Sequence, residues 1–416
     1  MKSIAFHINT LDQGGAERVV SNLANAFAKE GYEVYIATEW YGKNEYPLDE
    51  RVQRINVGLK EEDEEKGRIK KALLRKQYLR EFLEEKKPDV LVAFGHGSNY
   101  RALSAQAGTG VPVVICVRTD PTGHYDRFSD KIRIPLLFPR AAGAVFQTAE
   151  QKAFFAPRLQ DNSAVILNPI NPKYLNAKMP EEKEKAVVHS ARLVDFKNQP
   201  MLLDAFFMVH EKHPDYVLRI YGNDSGDGTK EILEKKIEEA GAKDFVFLMG
   251  GSEHLEEDLP KGSIYAFSSD WEGLPNSLME AMALGMPVVA TDCPCGGPAE
   301  IIRSAHMDGD VPETAYQYRS SYSNYSSKGD SVNAGRRARG GKEWPKGNGD
   351  LETANGILTP IRNPEAFAAA ICRLIENPEL ARELAKSAAK IAERANEQAV
   401  FEQWRDYLER ISSKKQ

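Results

Sequence analysis

The chain has 416 residues, 42% of them hydrophobic and 28% charged, with a formal net charge of −6. That length exceeds one ordinary core and suits two domains of roughly 150–200 residues each. The charge gives no global positive field for nucleic acid, and no run of about 18 apolar residues is present to cross a membrane.

Taken in chain order, Met1-Lys-Ser-Ile-Ala-Phe-His-Ile-Asn9 has a brief apolar run and no cleavage site, so it reads as a strand over Ile4–Asn9 and not as a signal peptide. A helix over Ala16–Glu30 closed by Gly31 follows, then strands at Glu33–Thr38 and Val52–Val57. A helix over about Lys66–Lys86 leads through Pro88 to a strand at Val90–Phe94, a helix at Asn99–Ala107 and a β-rich run at Val111–Val117. Leu167-Asn-Pro-Ile-Asn-Pro172 reads as a linker. The alternation then restarts: strands at Ala186–Ser190, Tyr216–Tyr221, Phe245–Met249 and Ile264–Ser268 enclose helices at Gln199–His213 and Lys230–Ala240. Strand after helix after strand predicts an α/β fold with a doubly wound parallel sheet in each half. Pro364–Ile411 is helical with a break at Asn377-Pro-Glu. Four scattered cysteines, Cys116, Cys293, Cys295 and Cys372, make no disulfide framework and read as reduced thiols of a cytoplasmic protein.

The densest signal lies between Trp271 and Thr291, where Glu272 and Glu280 have seven residues between them. Pro275 pre-sets a helix start, Gly285 supplies a left-handed stop, and Pro-Val-Val-Ala beyond it reads as a buried strand. The unpaired amides at such a helix start carry partial positive charge and favour a diphosphate. Gly273, Leu274, Asn276 and Ser277 line that start, and Glu280 is placed to accept hydrogen bonds from sugar hydroxyls. Upstream, His189-Ser-Ala-Arg-Leu-Val-Asp-Phe-Lys-Asn198 puts Arg192 and Lys197 on a loop at a sheet's carboxyl edge, where fixed cations can stabilise a departing diphosphate. Gly14 and Gly15, in Asp12-Gln-Gly-Gly-Ala-Glu-Arg18, open the first helix and allow close approach of an anion.

The Glu272…Glu280 segment, with its Glu-Gly-Leu-Pro start and Gly-Met-Pro-Val-Val exit, resembles the E-x7-E signature of retaining family-4 glycosyltransferases. The resemblance covers nearly the whole chain outside one insert. It implies the GT-B fold: two Rossmann-like domains facing across a cleft, here 1–168 and 173–397, with the last helix, 398–416, crossing back to the N-terminal domain. It implies a nucleotide-diphosphate sugar as donor, most plainly a UDP-sugar, and a glycan or polyprenyl-linked saccharide as acceptor in polysaccharide synthesis of the capsule or exopolysaccharide type. Glu272 would then hold the donor sugar with the backbone amides that follow it, Glu280 the ribose, and Arg192 and Lys197 the diphosphate. Gly222 corresponds to a glycine under the nucleotide and Gly250 to one beside the base. A sugar-nucleotide epimerase or phosphorylase of related fold, and a non-catalytic sugar-nucleotide-binding component of an assembly complex, are the alternative readings.

Two departures stand out. Where many relatives carry a histidine after the strand at Val113–Val117, this chain has Arg118-Thr-Asp-Pro121, which resembles an Arg-Asn-Asp-Pro sub-group. Asp120 is the candidate to assist the acceptor hydroxyl, with Arg118 for a charged group and His124 as a stand-in. An insert of about fifty residues, near 304–353, separates Glu300-Ile-Ile-Arg303 from Asn355-Gly-Ile-Leu358 and reads as a loop, with a lid or acceptor-contacting arm as its functional reading. Its Asp308-Gly-Asp310 matches metal-binding carboxylates of another fold only superficially, so no metal requirement is expected. The stretch Lys66–Arg80 holds seven cations and no acid. It offers peripheral contact with an anionic membrane, against a plain reading in which its apolar face packs on the sheet.

Overall fold

The computed structural model describes residues 1–12, 14–125, 127–303, 351–353 and 355–413. The inferences drawn above for the insert, including Asp308-Gly-Asp310, lie outside the described residues apart from one short strand. The chain divides into two compact units, Met1–Pro169 with Gln398–Gln416, and Ile170–Glu397.

The first unit is built on a seven-stranded parallel sheet. Its strands are β1 (Ser3–Ile8), β2 (Glu33–Thr38), β3 (Val52–Asn56), β4 (Val90–Phe94), β5 (Val113–Cys116), β6 (Gly143–Phe146) and β7 (Ser163–Val165). They lie in the order β3-β2-β1-β4-β5-β6-β7, so the winding reverses between β1 and β4. Strands β4, β5 and β6 are buried at every position, as a sheet covered on both faces requires. One face is covered by the helix Gly15–Lys29, which buries Val19, Val20, Leu23, Ala24, Phe27 and Ala28 at helical spacing.

The helix Glu397–Ser413 completes that same core. Trp404 is fully buried and stacks on Phe94 with ring centroids 5.8 Å apart, and Phe401 meets Phe27 edge-on at 4.9 Å. The Tyr407 hydroxyl reaches the carbonyls of Asn162 at 2.7 Å and Ala144 at 3.1 Å, which anchors the helix across β6 and β7. The opposite face is covered by the helices Arg68–Lys86, His96–Ala105 and Phe128–Leu137. The last of these is not among the sequence-based expectations; it has Pro135 inside it, and its Phe128, Ile132 and Leu136 point outward.

The second unit repeats the plan. Its strands are β8 (Glu184–Ser190), β9 (Val217–Tyr221), β10 (Val246–Gly250), β11 (Gly262–Phe267), β12 (Val288–Thr291), β13 (Leu351–Thr353) and β14 (Gly356–Thr359), in the order β10-β9-β8-β11-β12-β14-β13. Only β13 runs antiparallel to its neighbour among the described residues. The winding reverses between β8 and β11, and the helix Pro364–Glu376 packs on Gln199–Lys212 to cover one face. In each sheet the chain leaves the two central strands at their carboxyl ends and diverges, which opens a crevice at that edge.

Candidate active site

The loops after β8 and β11 meet at the carboxyl edge of the second sheet, where the winding reverses. After β8, the residues Asp195–Lys197 form one 3-10 turn, and Asn198 takes a left-handed φ of 49° to cap the helix Gln199–Lys212 through its side chain, which accepts from the Met201 amide. This sharp reversal turns Lys197 toward the loop after β11, where its side chain is largely buried. After β11, the loop Ser268–Pro275 runs to the helix Asn276–Ala283. Pro275 is the extended residue just before that helix and not its first turn, a one-residue shift from the expected start. Gly285, at φ 63°, terminates it as expected.

The two loops are knitted together. The Asp270 amide donates to the Phe196 carbonyl at 2.8 Å, the Ser268 hydroxyl to the Lys197 carbonyl at 2.8 Å, and the Asn198 amide group to Asp270 at 2.7 Å. Phe196 and Trp271 stack with centroids 4.2 Å apart. Across this seam Lys197 Nζ forms an ion pair with Glu272 Oε1, which also accepts from the Ser269 hydroxyl at 3.3 Å. The cation and carboxylate singled out separately in the sequence are therefore partners, and an arriving anionic ligand would have to share Lys197 with Glu272.

Arg192 differs. Its side chain is exposed and makes no ion pair among the described residues, while its carbonyl accepts from Gln199 at 2.9 Å. One guanidinium thus stands ready for an anion, beside an ammonium already held.

Asp270 and Arg362 were not foreseen. Arg362 donates through Nε at 2.7 Å and Nη2 at 2.6 Å to Asp270 Oδ2, and so braces the loop that carries Glu272 from a segment ninety-two residues away. Asp270 lies two residues before Glu272, the local hint that was available; nothing local marks Arg362.

Glu280 sits in the helix Asn276–Ala283 and is hydrogen-bonded by the Tyr174 hydroxyl, whose ionisation is driven up by burial first and by Glu280. The buried Tyr265 hydroxyl joins the Ser190 hydroxyl at 3.1 Å and reaches Ser277, tying the helix to the end of β8; burial pushes its pKa up to about 12. Leu274 is buried. Beneath the loops, His189 is fully buried, its Nδ1 donating to the Ala266 carbonyl at 2.9 Å; burial first, and Lys197 after it, lower its pKa to about 4 against the opposing pull of the backbone bond.

The glycines serve the loops' own packing more than the sequence suggests. A Cβ on Gly222 would lie 1.8 Å from the Ala191 carbonyl oxygen, so glycine there lets the β9 loop close on the β8 loop. The Gly222 amide donates to the Gly250 carbonyl at 2.7 Å, and Gly250 itself takes φ 73° at a break in the β9–β10 register. Gly297, outside the expected set, would place a Cβ 1.9 Å from the Gly273 oxygen, so it is what lets the signature loop lie flat.

The remaining candidates belong to the first unit. Gly14 caps the helix Gly15–Lys29 with an ordinary extended φ of −148°, and a Cβ on Gly15 would meet open space. Asp120 caps the short helix Pro121–His124: its carboxylate accepts from the Thr122 amide at 2.9 Å and hydroxyl at 2.8 Å. Arg118 donates to the Asn168 side chain and lies over the Phe94 ring, with Nη1 buried and without a hydrogen-bond partner. His124 is exposed. The reversal point between β1 and β4 is occupied by a closed network: Arg101 donates to His7 Nε2 at 2.9 Å and pairs with Glu39 at 3.0 Å, and Arg75 pairs with Glu39 at 2.9 Å. His7 is held neutral by burial and by Arg101, its pKa at about 3.

Among the described residues, one group of metal-type side chains clusters, His213, Cys372 and Glu376. His213 follows the helix Gln199–Lys212 and precedes β9, at the amino edge of the sheet, so the cluster is no part of the loops above.

Residues 13–174 match the family described as Glycosyltransferase Family 4, and residues 172–313 match Glycosyl transferases group 1. A protein of Haemophilus influenzae named as an uncharacterized glycosyltransferase is 25% identical over 71% of this chain and 82% of its own. A Campylobacter jejuni alpha-1,4-N-acetyl-D-galactosaminyltransferase, named for a diNAcBac-PP-undecaprenol-linked substrate, is 27% identical over 68% of this chain and 77% of its own. The crystal structure of Anabaena HepE in complex with UDP superposes with a TM-score of 0.71 at 16% identity, over 99% of this chain and 100% of that one.

Proposed function

Because the chain belongs to the family-4 and group-1 glycosyltransferases and has the GT-B fold, we propose that it moves a hexose or N-acetylhexosamine from a UDP-sugar to a glycan or lipid-linked acceptor in surface-polysaccharide synthesis, with retention of configuration. The observation that carries this reading is the seam at the carboxyl edge of the second sheet: a free Arg192, a Lys197–Glu272 ion pair and the start of the helix Asn276–Ala283. That set offers two cations and a helix amino end to a diphosphate, and a carboxylate to sugar hydroxyls beside it.

In this reading the diphosphate draws on Lys197 as it settles, and Glu272 turns to the donor sugar with the amides of Gly273 and Leu274. Asn276 and Ser277 supply the helix start, Glu280 exchanges its tyrosine bond for the ribose, and Gly222 and Gly250 border the nucleotide. Fixed cations stabilise the charge that develops on the leaving diphosphate, which is the main device available for lowering the barrier. In the first unit, Gly14 and Gly15 leave room beside a helix start, and Asp120 or Arg118 serves the acceptor. UDP-bound HepE supports the choice of nucleotide, and the lipid-linked substrate named for the Campylobacter relative supports the acceptor class. No helix of the described residues is long and apolar enough to cross a membrane. Contact with a cytoplasmic membrane surface through the basic stretch Lys66–Arg80 is part of the same proposal.

Calorimetric titration with UDP, GDP and ADP, with and without chelator, tests it. UDP is expected to bind most tightly, unaffected by chelator, with Arg192→Ala and Glu280→Ala each weakening it about tenfold, the loss of one charged hydrogen bond. Binding of none of the three would sink the donor site.

A further inference from the structure

We propose that the helix Phe128–Leu137, together with the first turns of Arg68–Lys86, forms a surface that docks on an anionic lipid bilayer by shallow insertion. The inference rests on the membrane contact proposed above and shifts its centre to a second helix.

Phe128, Ile132 and Leu136 are 80%, 58% and 58% exposed and stand four residues apart, so they form one outward row. The helix is held by its other side. Asp130 is fully buried, accepting from His96 at 3.2 Å and bonded by Tyr100, and Leu137 is buried in the core under the sheet. Around the apolar row, Arg127, Lys131, Arg133 and Arg140 are exposed, and Asp130 is the one carboxylate between 127 and 140. The exposed face of this segment therefore carries cations and large apolar groups and no anion.

The neighbouring helix Arg68–Lys86 adds a shorter version of the same pattern. Ile69 and Leu73 are 81% and 60% exposed, while the residues this helix buries are Leu79, Phe82 and Leu83. Arg68 and Lys70 flank them, exposed. Both helices pack against His96–Ala105, so the two rows lie on the same side of the first unit. The basic stretch highlighted by the sequence is partly neutralised, since Lys66 pairs with Asp63, Lys71 with Glu64 and Arg75 with Glu39. Among the described residues Arg127, Lys131, Arg133 and Arg140 make no ion pair, and Arg133 lies over the Tyr100 ring at 5.4 Å.

Within 127–140, cations interleaved with apolar side chains and no exposed carboxylate suit a surface whose outer layer is phosphate and whose next layer is hydrocarbon. Phe, Ile and Leu enter the acyl boundary while Arg and Lys reach back to the headgroups.

The test is flotation of the full-length protein with vesicles of phosphatidylcholine alone or mixed with phosphatidylglycerol, at low and high salt. The wild type is expected to float with the mixed vesicles at low salt. Phe128→Ser/Ile132→Ser/Leu136→Ser should lose at least about tenfold in partitioning, while Ile232→Ser, at a comparably exposed apolar residue of the second unit, should not. Lys131→Glu/Arg140→Glu, which leaves the apolar row intact, should lose binding selectively on anionic vesicles and serves if the triple variant does not fold. The proposal is overturned if the wild type floats with neither vesicle, if it floats equally with both, or if the triple variant floats unchanged. It is also overturned if the triple variant alters only self-association in sedimentation, which would make the row a protein interface. UDP titration of the same proteins separates the two readings: flotation without UDP binding rejects the donor site alone, and UDP binding without flotation rejects this surface alone.

Discussion

The two sheets follow the same winding order, and in each the central first strand ends with a buried histidine at its penultimate position, His7 in β1 and His189 in β8. Their carboxyl edges have nonetheless been put to different uses. At the first, Arg101 bonds His7 and pairs with the buried Glu39, and Arg75 pairs with the same carboxylate, so these charges are held by one another. At the second, the charges ride on loops, Arg192 makes no ion pair among the described residues, and the Lys197–Glu272 pair lies where a ligand would compete for it. Topology makes a crevice at both edges; whether that edge is core or ligand site depends on whether its charges are consumed internally.

Three perturbations would break or sharpen that contrast. Arg101→Ala should act on stability, removing one of two partners of a buried carboxylate at a cost of about 3 kcal/mol, the low end for such pairs because Arg75 remains. Urea unfolding would read it, with turnover per folded molecule retained; loss of turnover at unchanged stability would move the first edge into the active site. Lys197→Ala should do the reverse, lowering turnover about 10²–10³-fold with little change in melting temperature. A large drop in melting temperature with normal turnover would make the Lys197–Glu272 pair a structural brace.

The smallest effect concerns pH. His7 and His189 both have folded pKa values below the ordinary 6.5, at about 3 and about 4. The unfolded chain therefore takes up more protons as pH falls, so their contribution is complete above about pH 6.5 and is lost toward pH 4 and below. At pH 5 each histidine should cost about 2 kcal/mol relative to pH 7. Comparing the pH dependence of unfolding for the wild type and His189→Asn isolates one share; identical slopes would show that His189 is not held neutral.

Much of this was legible in the sequence because its signals are local. The βα alternation, the left-handed stop at Gly285 and the clustering of Glu272, Glu280, Arg192 and Lys197 all depend on spacing within one or two elements. The short strands β6 and β7, four and three residues long, carry too little pattern to be read. The Asp270–Arg362 brace joins residues ninety-two positions apart, beyond the reach of any spacing rule. The packing reason for Gly222 was not legible, because a glycine that admits a ligand and one that admits a neighbouring carbonyl look the same in one dimension. The helix Phe128–Leu137 escaped because its apolar period points away from the core and Pro135 interrupts it.

The helix Glu397–Ser413 carries a consequence for biosynthesis. The first unit buries Phe27 and Phe94 against Phe401 and Trp404, yet those partners leave the ribosome only after the whole second unit has been translated. At about 5–20 residues per second, the nascent first sheet waits roughly ten to fifty seconds with part of one apolar face uncovered. Vectorial synthesis therefore yields a complete second domain before the first one closes, and chaperone demand should peak in that interval.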